Sequence, residues 1–340
     1  MAGIDNNRNV SIDVARGILI TCVVVGHAIQ KCNGMYPTDY LQSVIATFQM
    51  ALFFAISGYV ACLSGKSASV GVLARRTRRL LVPYISWVVL LCIVKGSDLN
   101  ELPYKLLHSE FWFLRVLLLV VIVANVSEII ERQLCRKWAG RLTCVCVRTS
   151  LLIIFAAACE KFLQQGAFSH YLVCYMIGVV AYQGVLHIEF RKVLMMMKAA
   201  VPIFICQMIL FRYIPHGAVG VWRHLMAISG GLTVCCCAHL ISKWLSRDHF
   251  VIKSLSYLGV MSLAIYAIHW NLFFVIGRLP FEVVEANKLL FYLAAFSLSA
   301  IWMLMSVLIG RILNVIPVMS ELMIGMDNKT YCFRERRRLK

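Results

Sequence analysis

The chain has 340 residues, of which 61% are hydrophobic and 15% are charged. Soluble globular domains are typically about 45–50% apolar and about 25% charged, so the composition excludes a soluble enzyme core and indicates a polytopic membrane protein. The formal net charge of +18 does not indicate a nucleic-acid partner, because the basic residues fall in short clusters between apolar runs, where they set membrane orientation.

Long apolar runs follow one another along the chain. A membrane-spanning helix needs roughly 20 mostly apolar residues, and we count ten candidates, at 11–30, 41–63, 80–95, 112–130, 148–164, 168–186, 194–213, 222–243, 257–277 and 289–313. Lys and Arg concentrate in alternate loops, which by the positive-inside rule places both chain ends in the cytoplasm. The predicted fold is an all-α integral membrane protein, a bundle of ten transmembrane helices.

The first run, "SIDVARGILITCVVVGHAIQ" at 11–30, carries Asp13, Arg16 and His27. The eleven-residue step from Arg16 to His27 makes about three helical turns, so both side chains share one face, with Asp13 close to it. Ionisable groups in a membrane cost roughly 2.5–3.5 kcal/mol each and turn toward protein or a wet cavity. Two interpretations stay open: an interfacial Asp13–Arg16 pair with a core histidine, or a polar stripe where His27 takes a proton.

Five short segments occur in a specific order: "IDVARGILITCVVVGH", "QMALFFAISGYV", "ARRTRRLLVPY", "FWFLRVLLL" and "SLAIYAIHW". Together they resemble the motifs of the acyltransferase 3 family of integral membrane O-acyltransferases, in which an Arg is followed by ten residues and a His. The chain departs from the family at Ala51, where proline is common. The resemblance covers residues 12 to 270 and implies a ten-helix bundle with cytoplasmic ends.

The basic run "RRTRR", residues 75–79, lies in a predicted inward loop at 64–79. Four arginines in a loop hold that loop in the cytoplasm, which is a sufficient reason for them. Guanidinium groups also bind phosphates through paired hydrogen bonds. The resemblance implies that this cluster, Arg75, Arg76, Arg78 and Arg79, binds the phosphates of acetyl-CoA or another acyl-CoA, and both interpretations can hold together.

Two further pairs are candidate substrate-binding residues. Glu110 and Trp112 stand at the outer end of the fourth run, as an interfacial anchor or as a contact for an acceptor sugar. Tyr266 and His269 are three residues apart in the ninth run, so they share a helix face. They form either a helix–helix hydrogen bond or a cavity wall opposite His27.

Metal and disulfide chemistry have little support in the sequence. The chain contains 14 cysteines but no C-x-x-C pair, and most lie inside apolar runs, so we interpret them as small buried hydrophobes. There is no HExxH motif, so we expect no metal cofactor. There is no G-x-S-x-G motif either, so a serine acyl-enzyme is not expected.

The predicted function is transfer of an acyl group, acetyl as the first choice, from cytoplasmic acyl-CoA to a hydroxyl of a cell-surface or lipid-linked glycan. His27 is the expected base or transient acyl carrier, and Asp13 and Arg16 are expected to hold the polar stripe and bind the cofactor end. We expect a bacterial inner-membrane protein in contact with lipid and with polysaccharide-assembly proteins. Its predicted parts are a membrane domain at 1–320 and a basic cytoplasmic tail at 321–340. The alternatives are a transporter or exporter and a non-catalytic scaffold.

Overall fold

The computed structural model describes residues 9–33, 39–63, 68–135, 141–162, 168–185, 190–214, 219–276 and 288–325. These residues form helices and turns, with no β-strand among them, as the all-α prediction requires. The helices are α1 (Val10–Cys32), α2 (Tyr40–Leu63), α3 (Val70–Lys95), α4 (Leu102–His108), α5 (Trp112–Cys135), α6 (Arg141–Phe162), α7 (Phe168–Val185), α8 (Phe190–Leu210), α9 (Val219–Trp244), α10 (Phe250–Val260), α11 (Ser262–Ile276) and α12 (Lys288–Val315). Single turns follow α12 at Pro317–Met319 and at Ser320–Ile324.

Most of the described residues of each predicted apolar run lie on one or two of these helices. Seven described helices are long and apolar enough to cross a membrane, or eight if α10 and α11 count as one bent span. The apolar parts of α7 and α8, Phe168–Tyr182 and Leu194–Leu210, are shorter. The protein is therefore a multi-pass membrane protein, while the count of ten spans and the cytoplasmic ends stay predictions.

The basic run lies in a helix, and the prediction of a loop over 64–79 is therefore wrong for residues 70–79. Helix α3 begins at Val70, where the Ser69 hydroxyl accepts a hydrogen bond from the Val72 amide. Arginine is a good helix former, so the run does not interrupt the helix. The helix ends at Lys95, and Gly96 caps it in the left-handed conformation with a φ of 64°, which glycine adopts without steric cost.

The predicted ninth span, 257–277, is broken. Helices α10 and α11 meet at Met261 with a bend of 73°. Just before the break, α10 lies against α1 backbone to backbone. A Cβ added at Gly259 would be 1.9 Å from the Asp13 carbonyl oxygen, and one added at Gly17 would be 2.1 Å from the Leu255 carbonyl oxygen.

The chain divides into two compact units. The first unit comprises residues 1–53 and 186–315, and the second comprises 54–185 and 316–340. In the first unit α1 is central, because it contacts α9, α10, α11 and α12 and its side chains at Val14, Leu19 and Val23 are fully buried.

In the second unit α5 is central. It contacts α3, α6 and α7, and Leu114 and Val120 are fully buried. The turn Ser320–Ile324 contacts α3 of the same unit. Most of the predicted tail, residues 326–340, lies outside the described residues, and the division at residue 320 stays a prediction.

Candidate functional site

The polar face of α1 lies against the start of α11 in the first unit. The Arg16 guanidinium donates a hydrogen bond of 2.9 Å to the Ser262 hydroxyl, which stands directly after the helix break. Asp13, one turn earlier on α1, is buried with 8% of its surface exposed. A break in a helix leaves backbone groups without their usual partners, and here it also brings a hydroxyl to the arginine.

His27 lies against a later part of the same helix. Its ring centroid is 4.7 Å from that of Trp270, 5.4 Å from that of His269 and 6.5 Å from that of Phe273. Because Arg16 and His27 both contact α11, the shared face predicted from their spacing is present. The Nδ1 atom of His27 lies 3.2 Å from Oε1 of Gln30, one turn further along α1.

His269 is fully buried and has one assigned hydrogen bond. Its Nδ1 lies 2.7 Å from the Ile265 carbonyl oxygen. A carbonyl only accepts, so Nδ1 carries the hydrogen and Nε2 of the neutral ring carries a lone pair. Within the described part of the chain Nε2 has no hydrogen-bond partner. A buried acceptor without a partner lowers the stability of the fold. A ligand with an O–H or N–H group could donate a hydrogen bond to it.

Tyr266 completes the predicted pair on α11. It is buried, and its ring centroid lies 6.0 Å from that of His269. The structure thus places five of the predicted residues on α1 and α11, which contact each other in the first unit, namely Asp13, Arg16, His27, Tyr266 and His269.

Sequence reasoning passed over Ser262, Trp270 and Phe273, although the first two lie inside the "SLAIYAIHW" segment. The indole of Trp270 stacks on Phe273, with centroids 5.1 Å apart and planes 11° from parallel. Its Nε1 is buried and has no hydrogen-bond partner among the described residues. Helical spacing could have indicated this stack, because Trp270 and Phe273 are three residues apart and therefore lie on one face of α11.

The arginine cluster belongs to the second unit and does not act as one group. Arg75, Arg78 and Arg79 line a cavity of about 340 Å³, together with Glu321 and other residues of α3 and the C-terminal turn.

The Arg76 side chain does not line this cavity. It donates hydrogen bonds of 2.8 Å to Asn125 Oδ1 and 2.7 Å to the Ala61 carbonyl oxygen. Asn125 is buried, so Arg76 holds α3 to α5 and to the end of α2.

Glu110 and Trp112 also belong to the second unit. Glu110 forms an ion pair with Lys95 at the end of α3. The Trp112 ring lies 5.4 Å from that of Tyr171, and Tyr171 in turn stacks on Phe54 at 4.5 Å. Trp112 is therefore part of an aromatic cluster at the start of α5, and neither residue contacts another predicted site residue in the bonds assigned to it.

Comparison with known proteins decides the family. The profile of an acyltransferase domain, that of the acyltransferase 3 family, matches residues 9–311. The chain belongs to this family. The match begins one residue before α1 and ends within α12, so it includes every predicted site residue and stops before Glu321.

Two curated relatives are similar over part of their length. The nodulation protein NolL of Mesorhizobium japonicum is 32% identical over 143 residues, which cover 37% of this chain and 38% of that protein. The nodulation protein NolL of Sinorhizobium fredii is 34% identical over 126 residues, which cover 32% of this chain and 34% of that protein. The matched region thus spans little more than a third of each relative. No solved structure matches the chain.

Proposed function

We propose that the protein transfers an acyl group from cytoplasmic acyl-CoA to a hydroxyl of a glycan. The observation that carries the proposal is the position of His27 in a chain of an acyltransferase family. This histidine lies half-buried on a mostly apolar helix beside His269, which is fully buried, has an open acceptor atom and is 5.4 Å away between ring centroids. Two such groups on facing helices suit proton transfer at a hydroxyl.

His27 acts as the general base. Oε1 of Gln30 accepts from Nδ1, which leaves the lone pair on Nε2 to take the proton of the acceptor hydroxyl. The oxygen then attacks the thioester carbonyl, the carbon–sulfur bond breaks, and the proton on His27 passes to the departing thiolate. Transient acylation of His27 itself is the alternative route. Arg16, bonded to Ser262, and buried Asp13 fix the inner end of this face.

Trp270 supplies the hydrogen-bond donor that a tetrahedral intermediate needs. Its indole lies 4.7 Å from His27 between centroids and its N–H has no partner among the described residues. An oxyanion is stabilised best by a donor that is already fixed in place, and the stack on Phe273 fixes this indole. His269 accepts a hydrogen bond from the sugar hydroxyl through Nε2 and so orients it toward His27.

The donor phosphates bind to the cavity formed by Arg75, Arg78 and Arg79. Acyl-CoA carries a 3'-phosphate and a pyrophosphate, and guanidinium forks match phosphate oxygens well. Arg76 contributes by holding α3 in place through Asn125. No metal participates in this scheme, because the histidine supplies the base and the arginines supply the positive charge.

The acceptor is a surface or lipid-linked glycan, and the location is a bacterial inner membrane with polysaccharide-assembly proteins as partners. The family supports acyl transfer, and the two relatives are bacterial proteins. Glu110 and Trp112 form the sugar contact, since carboxylates accept from sugar hydroxyls and aromatic faces cover sugar rings.

Complementation tests the proposal. Wild type, His27→Ala and the control His224→Ala are expressed in a host that lacks the gene. Glycan O-acyl groups are counted by NMR, and the protein in the membrane is measured by immunoblot. His224 lies exposed on α9, so its removal should leave acylation unchanged. Loss of acylation in His27→Ala at an equal protein level supports the proposed base, and full acylation in that variant refutes it.

Transport is the second candidate, and the break between α10 and α11 favours it. Discontinuous helices surround the substrate in many transporters, and the bend of 73° lies beside Arg16 and Ser262. Transporters of that kind repeat the break in the other half of the chain, and the rest of the described helices include no second broken pair. Wild-type protein that moves a solute and acylates nothing would favour transport.

A further inference from the structure

The chain returns to α3 after its last long helix. The indole N–H of Trp87 donates a hydrogen bond of 2.7 Å to the Met323 carbonyl oxygen. Gly325 follows with a φ of 71°, and a Cβ added there would lie 2.3 Å from the Arg79 carbonyl oxygen. Glycine suits both the positive φ and the close approach. The segment Ser320–Gly325, which we term the C-terminal clasp, is therefore anchored on the helix that carries the arginines.

The clasp brings a carboxylate into the arginine cavity. Glu321 forms an ion pair with Arg78, and both residues line the cavity with Arg75 and Arg79. Three arginines and one carboxylate therefore face the same space, and the carboxylate cancels one of three positive charges. The side chains of Arg78 and Glu321 are 70% and 33% exposed, so a solute anion has access to the pair.

We propose that Glu321 is the internal competitor of the donor phosphate for Arg78, so that the clasp sets the affinity of the donor site. This inference rests on the proposed donor site. The clasp lies beyond residue 311, where the family match ends, so the family match assigns it no role.

The competition follows from the chemistry of the two anions. A carboxylate and a phosphate oxygen both occupy the guanidinium fork. A phosphate of the donor that binds to Arg78 must first displace Glu321, and the anchor at Trp87 keeps the carboxylate close enough to return when the product leaves. An exposed ion pair contributes little free energy, so the carboxylate is displaced easily and lowers the affinity without blocking the site.

Binding of coenzyme A to the full-length protein in nanodiscs tests this role. The variants are Glu321→Gln, Arg79→Met and the matched control Glu101→Gln. Glu101 forms an exposed ion pair with Lys105, four residues along the chain, so its substitution removes the same charge and the same type of contact away from the cavity. Isothermal titration calorimetry with coenzyme A, at low and at high salt, gives the Kd of each variant.

We expect Glu321→Gln to lower the Kd for coenzyme A roughly two- to fivefold at low salt, the range that an exposed ion pair supports. The gain should shrink at high salt, because exposed charges are screened. Glu101→Gln should bind as wild type does, and Arg79→Met should bind more weakly.

The outcomes separate this inference from the donor site on which it rests. If Arg79→Met weakens binding while Glu321→Gln leaves the Kd unchanged or raises it, the cavity binds the donor but Glu321 does not compete, and the inference alone is wrong. If Arg79→Met binds as wild type does, the donor site is elsewhere and both proposals are refuted. If Glu101→Gln tightens binding as much as Glu321→Gln does, overall charge is the cause and the inference is refuted.

Discussion

Arg16 and Ser262 are 246 residues apart in the chain and are joined by a hydrogen bond of 2.9 Å at the break between α10 and α11. This bond ties the charged end of α1 to the first residue of the helix that carries His269. Arg16 of the segment "IDVARGILITCVVVGH" is thus positioned by Ser262 of the segment "SLAIYAIHW".

We predict that Ser262→Ala lowers kcat for acyl transfer about tenfold, near the lower end of the roughly 1.5–3 kcal/mol that hydrogen bonds to charged groups contribute. Ser262→Thr keeps the hydroxyl and should recover most of the activity. The control is Ser242→Ala, whose hydroxyl donates to the Ala238 carbonyl oxygen of its own helix. Equal activity of Ser262→Ala and Ser242→Ala would contradict the positioning role.

The two nitrogens of His269 can be tested separately. Asparagine places an amide N–H near the position of Nδ1 and so keeps the bond to the Ile265 carbonyl oxygen, while glutamine places its amide near the position of Nε2. We predict that His269→Asn lowers kcat/KM for the acceptor about tenfold, through loss of one substrate hydrogen bond, and that His269→Gln is less impaired. The reverse order, measured with equal amounts of folded protein, would mean that His269 serves only the helix.

We expect the indole N–H of Trp270 to contribute more to kcat than the aromatic ring does. Trp270→Phe keeps an aromatic ring beside His27 and removes the donor, so we expect kcat to fall about 10²-fold with an unchanged KM for the donor, as for other oxyanion donors.

Trp302→Phe is the control for Trp270→Phe. Trp302 is fully buried, its Nε1 is also without a partner among the described residues, and its ring contacts Phe273 at 5.6 Å. A similar fall in kcat in both variants would assign the effect to packing of the aromatic cluster.

The sequence predicted the parts of this site that depend on one helix. The apolar runs predicted the helices, and the eleven-residue spacing placed Arg16 and His27 on one face, because helical geometry is local. The order of the motif segments predicted the family. Composition could not predict the break at Met261, since 257–277 is mostly apolar on both sides of it and the close approach of Gly259 to Asp13 is a tertiary contact.

The arginine run shows the same limit. The four arginines of 75–79 are predicted as one cluster. The structure groups Arg75, Arg78 and Arg79 around the cavity and turns Arg76 toward Asn125. The deciding partner is 49 residues away, and no local pattern indicates it. The prediction places Glu321 in a basic tail. Its contact with Arg78 bridges 243 residues, so no local pattern indicates it either.

The close contact of α1 with α10 gives a prediction on stability. A methyl group at Gly17 would lie 2.1 Å from the Leu255 carbonyl oxygen, and backbone atoms cannot rotate away as a side chain can. Gly17→Ala must therefore separate α1 from α10, and we expect a loss of about 1–3 kcal/mol, as for other overpacked sites. The thermal midpoint of the protein in detergent and its level in the membrane should both fall.

Gly220→Ala is the matched control for Gly17→Ala. Gly220 is also helical, and an added Cβ would meet no described atom within 4 Å, so alanine there should leave the midpoint unchanged or raise it through its better helix propensity. Because Gly17 is next to Arg16, separation of the helices should also lengthen the Arg16–Ser262 bond. Gly17→Ala protein that is still folded at low temperature should then resemble Ser262→Ala in its kcat. Equal midpoints of the two alanine variants would mean that α1 and α10 are further apart than the structure has them.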